Sequence, residues 1–264
     1  RDWARVERSA VTAPEMILPR TAHPAFHKAG HYFGVKPVVI PIGPDLRADV
    51  AAAQAAITRN TILMVGSAPS YPHGVVDPIA DLAGIAQENG LLCHVDACVG
   101  GFMLPFVRKL GYPVPDFDLS VAGVTSMSAD LHKYGYAAKG ASVVLYRDKA
   151  LRRYQIFACT DTTAYTLINP TVLSTKGGGP LAGAWAILHY LGESGYQRIV
   201  REVQEATGHF GHHGGKQVAF QIVGEDSEVL SRLAEEAKAR LERIPGLVDP
   251  YTSRSQGGME LFVD

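Results

Sequence analysis

An aspartate that closes one apolar run and a lysine in a later loop carry the strongest chemical signal in this sequence. His94-Val95-Asp96-Ala97 ends the run that begins at Leu91, and Gly100-Gly101 follows it. Downstream lies Ser128-Ala129-Asp130-Leu131-His132-Lys133-Tyr134-Gly135, with Lys133 placed 37 residues after Asp96. A pyridine-aldehyde cofactor needs an amine to form a Schiff base and a carboxylate to keep its ring nitrogen protonated. Taken singly, each residue has an ordinary reading: a strand-end aspartate caps a helix or a turn, and a loop lysine is a solvated charge. The combination favours the cofactor, because Lys133 sits beside His132 in a loop where Gly135 and Gly140 permit close backbone approach. Lys133 is then the Schiff-base lysine and Asp96 the partner of the pyridine nitrogen.

These two residues need a scaffold that brings strand ends together. Short runs rich in Val, Ile and Leu, at 37–42, 61–65, 91–95, 119–125 and 141–146, read as strands. Helical spacing fills 48–57 and 79–89, the latter stopping at Gly90 as a helix C-terminus does. Such alternation predicts an α/β fold with a mainly parallel sheet and a site at the carboxyl ends of its strands. A helix is expected from Leu181 to Leu191. The breaker stretch from Gly208 to Gly215 divides a large domain, 1–207, from a small C-terminal α+β module, 208–264, read as strand 217–223, helix 227–243 and strand 258–263.

Composition excludes several function classes. Twenty-five basic and 26 acidic residues give a formal charge of -1, so no global field points to nucleic acid or anionic membrane. No apolar run approaches the roughly 20 residues that cross a bilayer, which predicts a soluble, cytoplasmic piece without a transmembrane segment. Cys93, Cys98 and Cys159 form no CxxC pair and fit a reducing compartment as small buried hydrophobes. His23, His27 and His31 are spaced four apart, and His209, His212 and His213 cluster in the glycine-rich stretch. Pro24 and the lack of a carboxylate partner weaken the first set as a metal site, and the second reads as exposed loop; no metal is assigned. Gly177-Gly178-Gly179 is either a cradle for a phosphate or neighbouring backbone, or a hinge.

Three stretches carry a family resemblance: GSAPSYPHGVVDPI at 66–79, HVDACVGGF at 94–102 and GVTSMSADLHKYGYAAKGASVVLY at 123–146. They resemble the sphingosine-1-phosphate lyases, within the group II, fold-type I pyridoxal-phosphate enzymes. The likeness runs from about Pro14 to about Gln197. Ser-Ala-Asp ahead of His-Lys-Tyr-Gly-Tyr, with a second lysine at Lys139, separates these from related amino-acid decarboxylases. The tail from about Lys216 instead resembles a porter subdomain of resistance-nodulation-division efflux pumps.

The resemblance implies pyridoxal 5′-phosphate as cofactor and a homodimer acting on a phosphorylated sphingoid base to give phosphoethanolamine and a long-chain aldehyde. It implies that His23 stacks on the cofactor ring, Ala97 lies under it, Ser70 approaches its phenolic oxygen, and Ser128 and His132 approach its phosphate. Tyr136 and Lys139 fall in a substrate-handling loop, with Lys133 and Lys139 as candidates for proton transfer and charge stabilisation. Part of the phosphate cup is expected from a segment upstream of Arg1. The alternatives are an amino-acid decarboxylase on the same scaffold, and a truncated or fused chain with an interaction role.

Overall fold

The computed structural model describes residues 1–173, 175–208, 218–222, 226–241, 243, 251–255 and 258–263. The chain divides into two compact units, Arg1–Val200 and Arg201–Asp264. In order, the elements are α1 (Asp2–Glu7), β1 (Glu15–Pro19), α2 (Ala25–Phe33), β2 (Lys36–Ile40), α3 (Val50–Ala55), β3 (Thr61–Ser67), α4 (Ile79–Glu88), β4 (Leu92–Asp96), α5 (Leu104–Lys109), β5 (Ser126–Ala129) and β6 (Val143–Tyr146). They continue with α6 (Lys149–Arg152), β7 (Phe157–Cys159), β8 (Leu167–Asn169), α7 (Gly179–Gly208), β9 (Val218–Ile222), α8 (Ser227–Leu241), β10 (Tyr251–Ser255) and β11 (Gly258–Val263).

The large unit is built on a six-stranded sheet in the order β2-β1-β3-β4-β5-β6. Every pairing is parallel except β5 with β6. Period-two alternation sends neighbouring residues of one strand into different cores. Ile17, Met64, Cys93, Val95 and Met127 pack with Ala53 of α3 and Leu82, Ala83 and Ala86 of α4. Met16, Leu18 and Val65 pack with Ala4 of α1 and Phe26 of α2. Burial on both faces explains why these strands read as continuous apolar runs.

Two strands of the six-stranded sheet, β5 and β1, differ from expectation. The run at 119–125 forms turns, and the strand starts at Ser126. Gly123 is the physical reason: its φ of 87° suits glycine, and a Cβ there would lie 2.3 Å from the Ala83 carbonyl oxygen of α4. β1 was absent from the expectations because only Met16, Ile17 and Leu18 are apolar between Glu15 and Pro19. Glu15 is nonetheless buried, with Thr58 Oγ1 donating to one carboxylate oxygen at 2.6 Å and Lys36 Nζ to the other at 3.1 Å.

The small unit holds an antiparallel sheet, β10-β11-β9, packed by α8. The expected strand, helix and strand are joined by β10, and β9 runs antiparallel to β11, so the described strands of this unit hold no parallel pairing. His209, His212 and His213 lie outside the described residues. The helix expected at 181–191 is the first part of α7, which breaks at Gly192, where φ is 55°.

Asp77 joins the sheet to the loop ahead of α3. Its carboxylate, 1% exposed, accepts from Ser67 N and Ala48 N, each at 2.8 Å. Asp77→Ala would strand two amide donors and is expected to lower unfolding stability by about 2–4 kcal/mol, read by urea denaturation. Hydrogen bonding from Thr58, helped by Lys36 and against desolvation, holds the Glu15 carboxyl below its ordinary value of 4.5. A depressed acid stabilises the fold above its unfolded pKa and loses that contribution as pH falls through the folded one. The stability gap between wild type and Glu15→Gln should therefore be widest near neutrality and narrow as pH falls below 4.5 in denaturation series.

Candidate active site

The carboxyl ends of the parallel strands meet at one edge of the sheet, and the chemistry-bearing residues gather there. β4 delivers Asp96, paired in register with Ser128 of β5, while His94 pairs with Ser126. Asp96 Oδ1 accepts from Cys98 N at 3.1 Å and, at a longer 3.4 Å, from the Ser128 hydroxyl. No hydrogen bond reaches Asp96 Oδ2 among the described residues. Gly100 lets this edge close: a Cβ there would stand 2.3 Å from the Ala68 carbonyl oxygen beyond β3. Ala68 N in turn donates to the Asp96 carbonyl oxygen at 2.8 Å.

Lys133 lies on the loop between β5 and β6, and Asp130 organises that loop. One Asp130 oxygen accepts from Ser142 Oγ, while the other is 3.1 Å from Lys133 Nζ and 3.6 Å from His132 Nε2. Burial works to raise the Asp130 carboxyl, but these hydrogen bonds and the charges of Lys133 and His132 outweigh it and hold it below the usual range. The Asp130 amide donates to the Cys98 carbonyl oxygen at 3.3 Å, which ties the lysine loop to the Asp96 turn. His132 Nδ1 is 2.7 Å from the Ala141 carbonyl oxygen, so its ring is fixed on both sides.

The remaining sequence candidates fall around this edge. Ala97 is fully buried, its N–H donating to the Ser128 carbonyl oxygen at 3.0 Å. Ser70 is fully buried beyond β3, and its Oγ has no hydrogen-bond partner among the described residues. His23, beyond β1, is exposed; its ring meets that of Tyr71 edge to face at 5.3 Å. Ser128 Oγ is surrounded by His94 Nε2, Cys98 Sγ and Asp96 Oδ1, so its contacts run to the Asp96 side. Tyr136 is exposed with φ at 57°, supported by Tyr134 and by Tyr196, whose hydroxyl donates to the Gly135 carbonyl oxygen at 2.7 Å. Lys139 is exposed and makes no ion pair among the described residues. His27 and His31 lie on α2 while His23 precedes it, and no metal-holding cluster occurs among the described residues. A Cβ added at Gly177, Gly178 or Gly179 would meet open space.

The sequence reading overlooked Thr21, Asp130 and the role of His94. Thr21, two residues past β1, is a second buried hydroxyl without a partner among the described residues. Only Asp130's spacing of three from Lys133 could have signalled their pairing. His94 was visible in its motif, and the alternation of His94 and Asp96 against Ser126 and Ser128 was the sign of a shared polar face.

Known proteins carry the same pattern. The model of the pyridoxal-dependent decarboxylase conserved domain matches residues 5–231, extending beyond the 14–197 legible by motif and into α8. The chain is 47% identical over 207 residues to the sphingosine-1-phosphate lyase of Arabidopsis thaliana, covering 78% of this chain and 38% of that protein. It is 45% identical over 194 residues to sphingosine-1-phosphate lyase 1 of Rattus norvegicus, covering 73% and 34% respectively. The sphingosine-1-phosphate lyase structure from Burkholderia pseudomallei K96243 aligns with a TM-score of 0.79 at 36% identity, covering 99% of this chain and 60% of that one. The chain thus spans well under half the length of these two curated relatives. No helix among the described residues is long and apolar enough to cross a membrane. The sheet with its antiparallel β6 bears out the expected α/β, fold-type I architecture, and with a family match over most of its length the chain belongs to the pyridoxal-dependent decarboxylase family.

Proposed function

We propose that this chain forms the cofactor-bearing part of a pyridoxal 5′-phosphate-dependent carbon–carbon lyase acting on a phosphorylated sphingoid base. The observation that carries the reading is the juxtaposition of a half-committed Asp96 carboxylate with the Asp130-anchored loop of Lys133. The similarity to sphingosine-1-phosphate lyases favours this substrate class over an amino acid.

The residues at the strand edge fit such a cofactor. Two buried hydroxyls, Thr21 and Ser70, lack partners, and one oxygen of Asp96 receives no donor among the described residues. Asp96 Oδ2 would hold the protonated ring nitrogen, Lys133 Nζ the carbonyl carbon, and Ser70 the phenolic oxygen. Ala97 would lie under the ring and His23 against it, with His132 on the loop nearest the phosphate, while the Ser128 hydroxyl, turned to Asp96, would serve the ring-nitrogen side. When bound, pyridoxal phosphate supplies an electron sink for the pair released as a carbon–carbon bond breaks.

The protein's own groups do the rest. Lys133 rests as an ion pair with Asp130, so its amine becomes a nucleophile or base only after that contact loosens and a proton leaves. Asp130 is positioned to keep the lysine in place until then. Lys139 and Tyr136 are exposed on the same loop, where a cation and a phenol can receive a substrate phosphate. Near-zero net charge and free cysteines support a cytoplasmic enzyme of small molecules rather than of nucleic acid, and we read it as a homodimer.

Borohydride reduction of the protein with pyridoxal phosphate, followed by peptide mapping, should place the label on Lys133. Lys133→Ala should lose the label and all release of long-chain aldehyde from sphingosine 1-phosphate, measured by mass spectrometry. A label on Lys139 or Lys176 instead would overturn the assignment. Carbon dioxide released from an amino acid, without aldehyde, would replace the lyase by a decarboxylase.

A further inference from the structure

A chain of hydrogen bonds runs along the polar face shared by β4 and β5 and ends on Asp96. His94 Nδ1 is 2.8 Å from Ser126 Oγ, and His94 Nε2 is 3.3 Å from Ser128 Oγ. Cys98 Sγ is 3.2 Å from the same Ser128 Oγ, which is 3.4 Å from Asp96 Oδ1. Phe26 of α2 packs edge to face on the His94 ring, with centroids 5.8 Å apart.

Proton counting leaves one assignment that satisfies every contact. A carboxylate only accepts, and a serine hydroxyl has one proton and two lone pairs. Desolvation, with the Asp96 charge adding to it, pushes the Cys98 thiol up to about 12, so the thiol keeps its proton and serves as a donor. The Ser128 proton must then go to Asp96 Oδ1, and Ser128 Oγ must accept from both Cys98 and His94. His94 therefore carries its proton on Nε2, and its bare Nδ1 accepts from Ser126. In the opposite tautomer the Ser128 proton turns to His94, and Asp96 Oδ1 keeps only the Cys98 amide. Desolvation pushes His94 down to about 4, against the pull of Asp96, so the ring is neutral near pH 7 and does not form an ion pair with the carboxylate.

We propose that His94 is a positioning residue for Asp96: as the neutral Nε2–H tautomer it commits the Ser128 proton to Asp96 Oδ1 and so reserves Oδ2 for the cofactor's ring nitrogen. The inference rests on the reading of Asp96 given above. A carboxylate held by two donors on one oxygen presents the other at a defined place, and mutation of such supporting hydrogen bonds weakens a liganded site.

The tautomer is measurable without cofactor. Nitrogen NMR of the full chain labelled at histidine should show His94 with a bare Nδ1 and a protonated Nε2 between pH 6 and pH 8. Pyridoxal phosphate binding, followed by fluorescence quenching, should weaken about tenfold in His94→Phe, the lower end of what loss of a supporting hydrogen bond costs at a liganded site. His94→Gln, whose amide can still donate, should recover most of that loss. If His94→Phe fails to fold, Ser128→Ala, which removes the same final donor, should show the weakening instead. An Nδ1–H tautomer, or unchanged binding in the folded variants, would overturn this inference while borohydride labelling of Lys133 left the cofactor reading intact. Absence of that label in the wild type would overturn both.

Discussion

The register of β4 on β5 is the constraint on which the site depends. His94 faces Ser126 and Asp96 faces Ser128, while Cys93, Val95 and Met127 turn into the core beneath α4. Side chains alternate along a strand, so a slip of one residue would bury His94 and Asp96 among apolar groups and expose valine and cysteine to the polar face. The cost of burying unpaired polar groups makes that arrangement far less stable than the observed one. Core packing and polar pairing thus select the same register, and a short strand of ordinary composition becomes a fixed mount for a carboxylate.

The lysine is fixed differently. The antiparallel β5–β6 ladder ends at the Ala129–Val143 pair, so the loop at 130–142 that carries the lysine lies beyond it. Asp130 substitutes for a ladder by gathering Ser142, Lys133 and His132 around one carboxyl group. Apolar packing of Leu131 and Ala141 with Ala184 of α7 closes the loop from the other side. A buried carboxylate with this many partners stays ionised, and an ionised Asp130 keeps the lysine near the strand ends.

Much of the fold was legible because burial on both faces writes strands as apolar runs, as at Thr61–Ser67 and Leu92–Asp96. β1 was missed because a buried glutamate and a terminal proline interrupt its pattern, and the partners that permit Glu15, Thr58 and Lys36, are distant in sequence. β5 was displaced because its serines answer to His94 and Asp96 rather than to a core, so it does not read as an apolar run. At the site, Asp96 and Lys133 stood out by chemical type. Asp130 and Thr21 did not, since their importance comes from what surrounds them. The small unit's antiparallel pairing was equally hidden, because β10 carries Tyr251-Thr252-Ser253-Arg254-Ser255 and no apolar run.

The strand order has a further consequence. From β1 the chain crosses to β2 on one side, whereas from β3 it crosses to β4 on the other, with α2 and α4 joining separate cores. β1 and β3 are neighbours whose outgoing connections diverge, and in open α/β sheets ligands bind outside the strand ends at such a topological switch point. Thr21 and His23 follow one of these strands, Ser70 and Tyr71 the other, and the His23 and Tyr71 rings meet between them. Room for a ligand is therefore set by the order in which the chain visits its sheet, before any side chain at the rim is chosen.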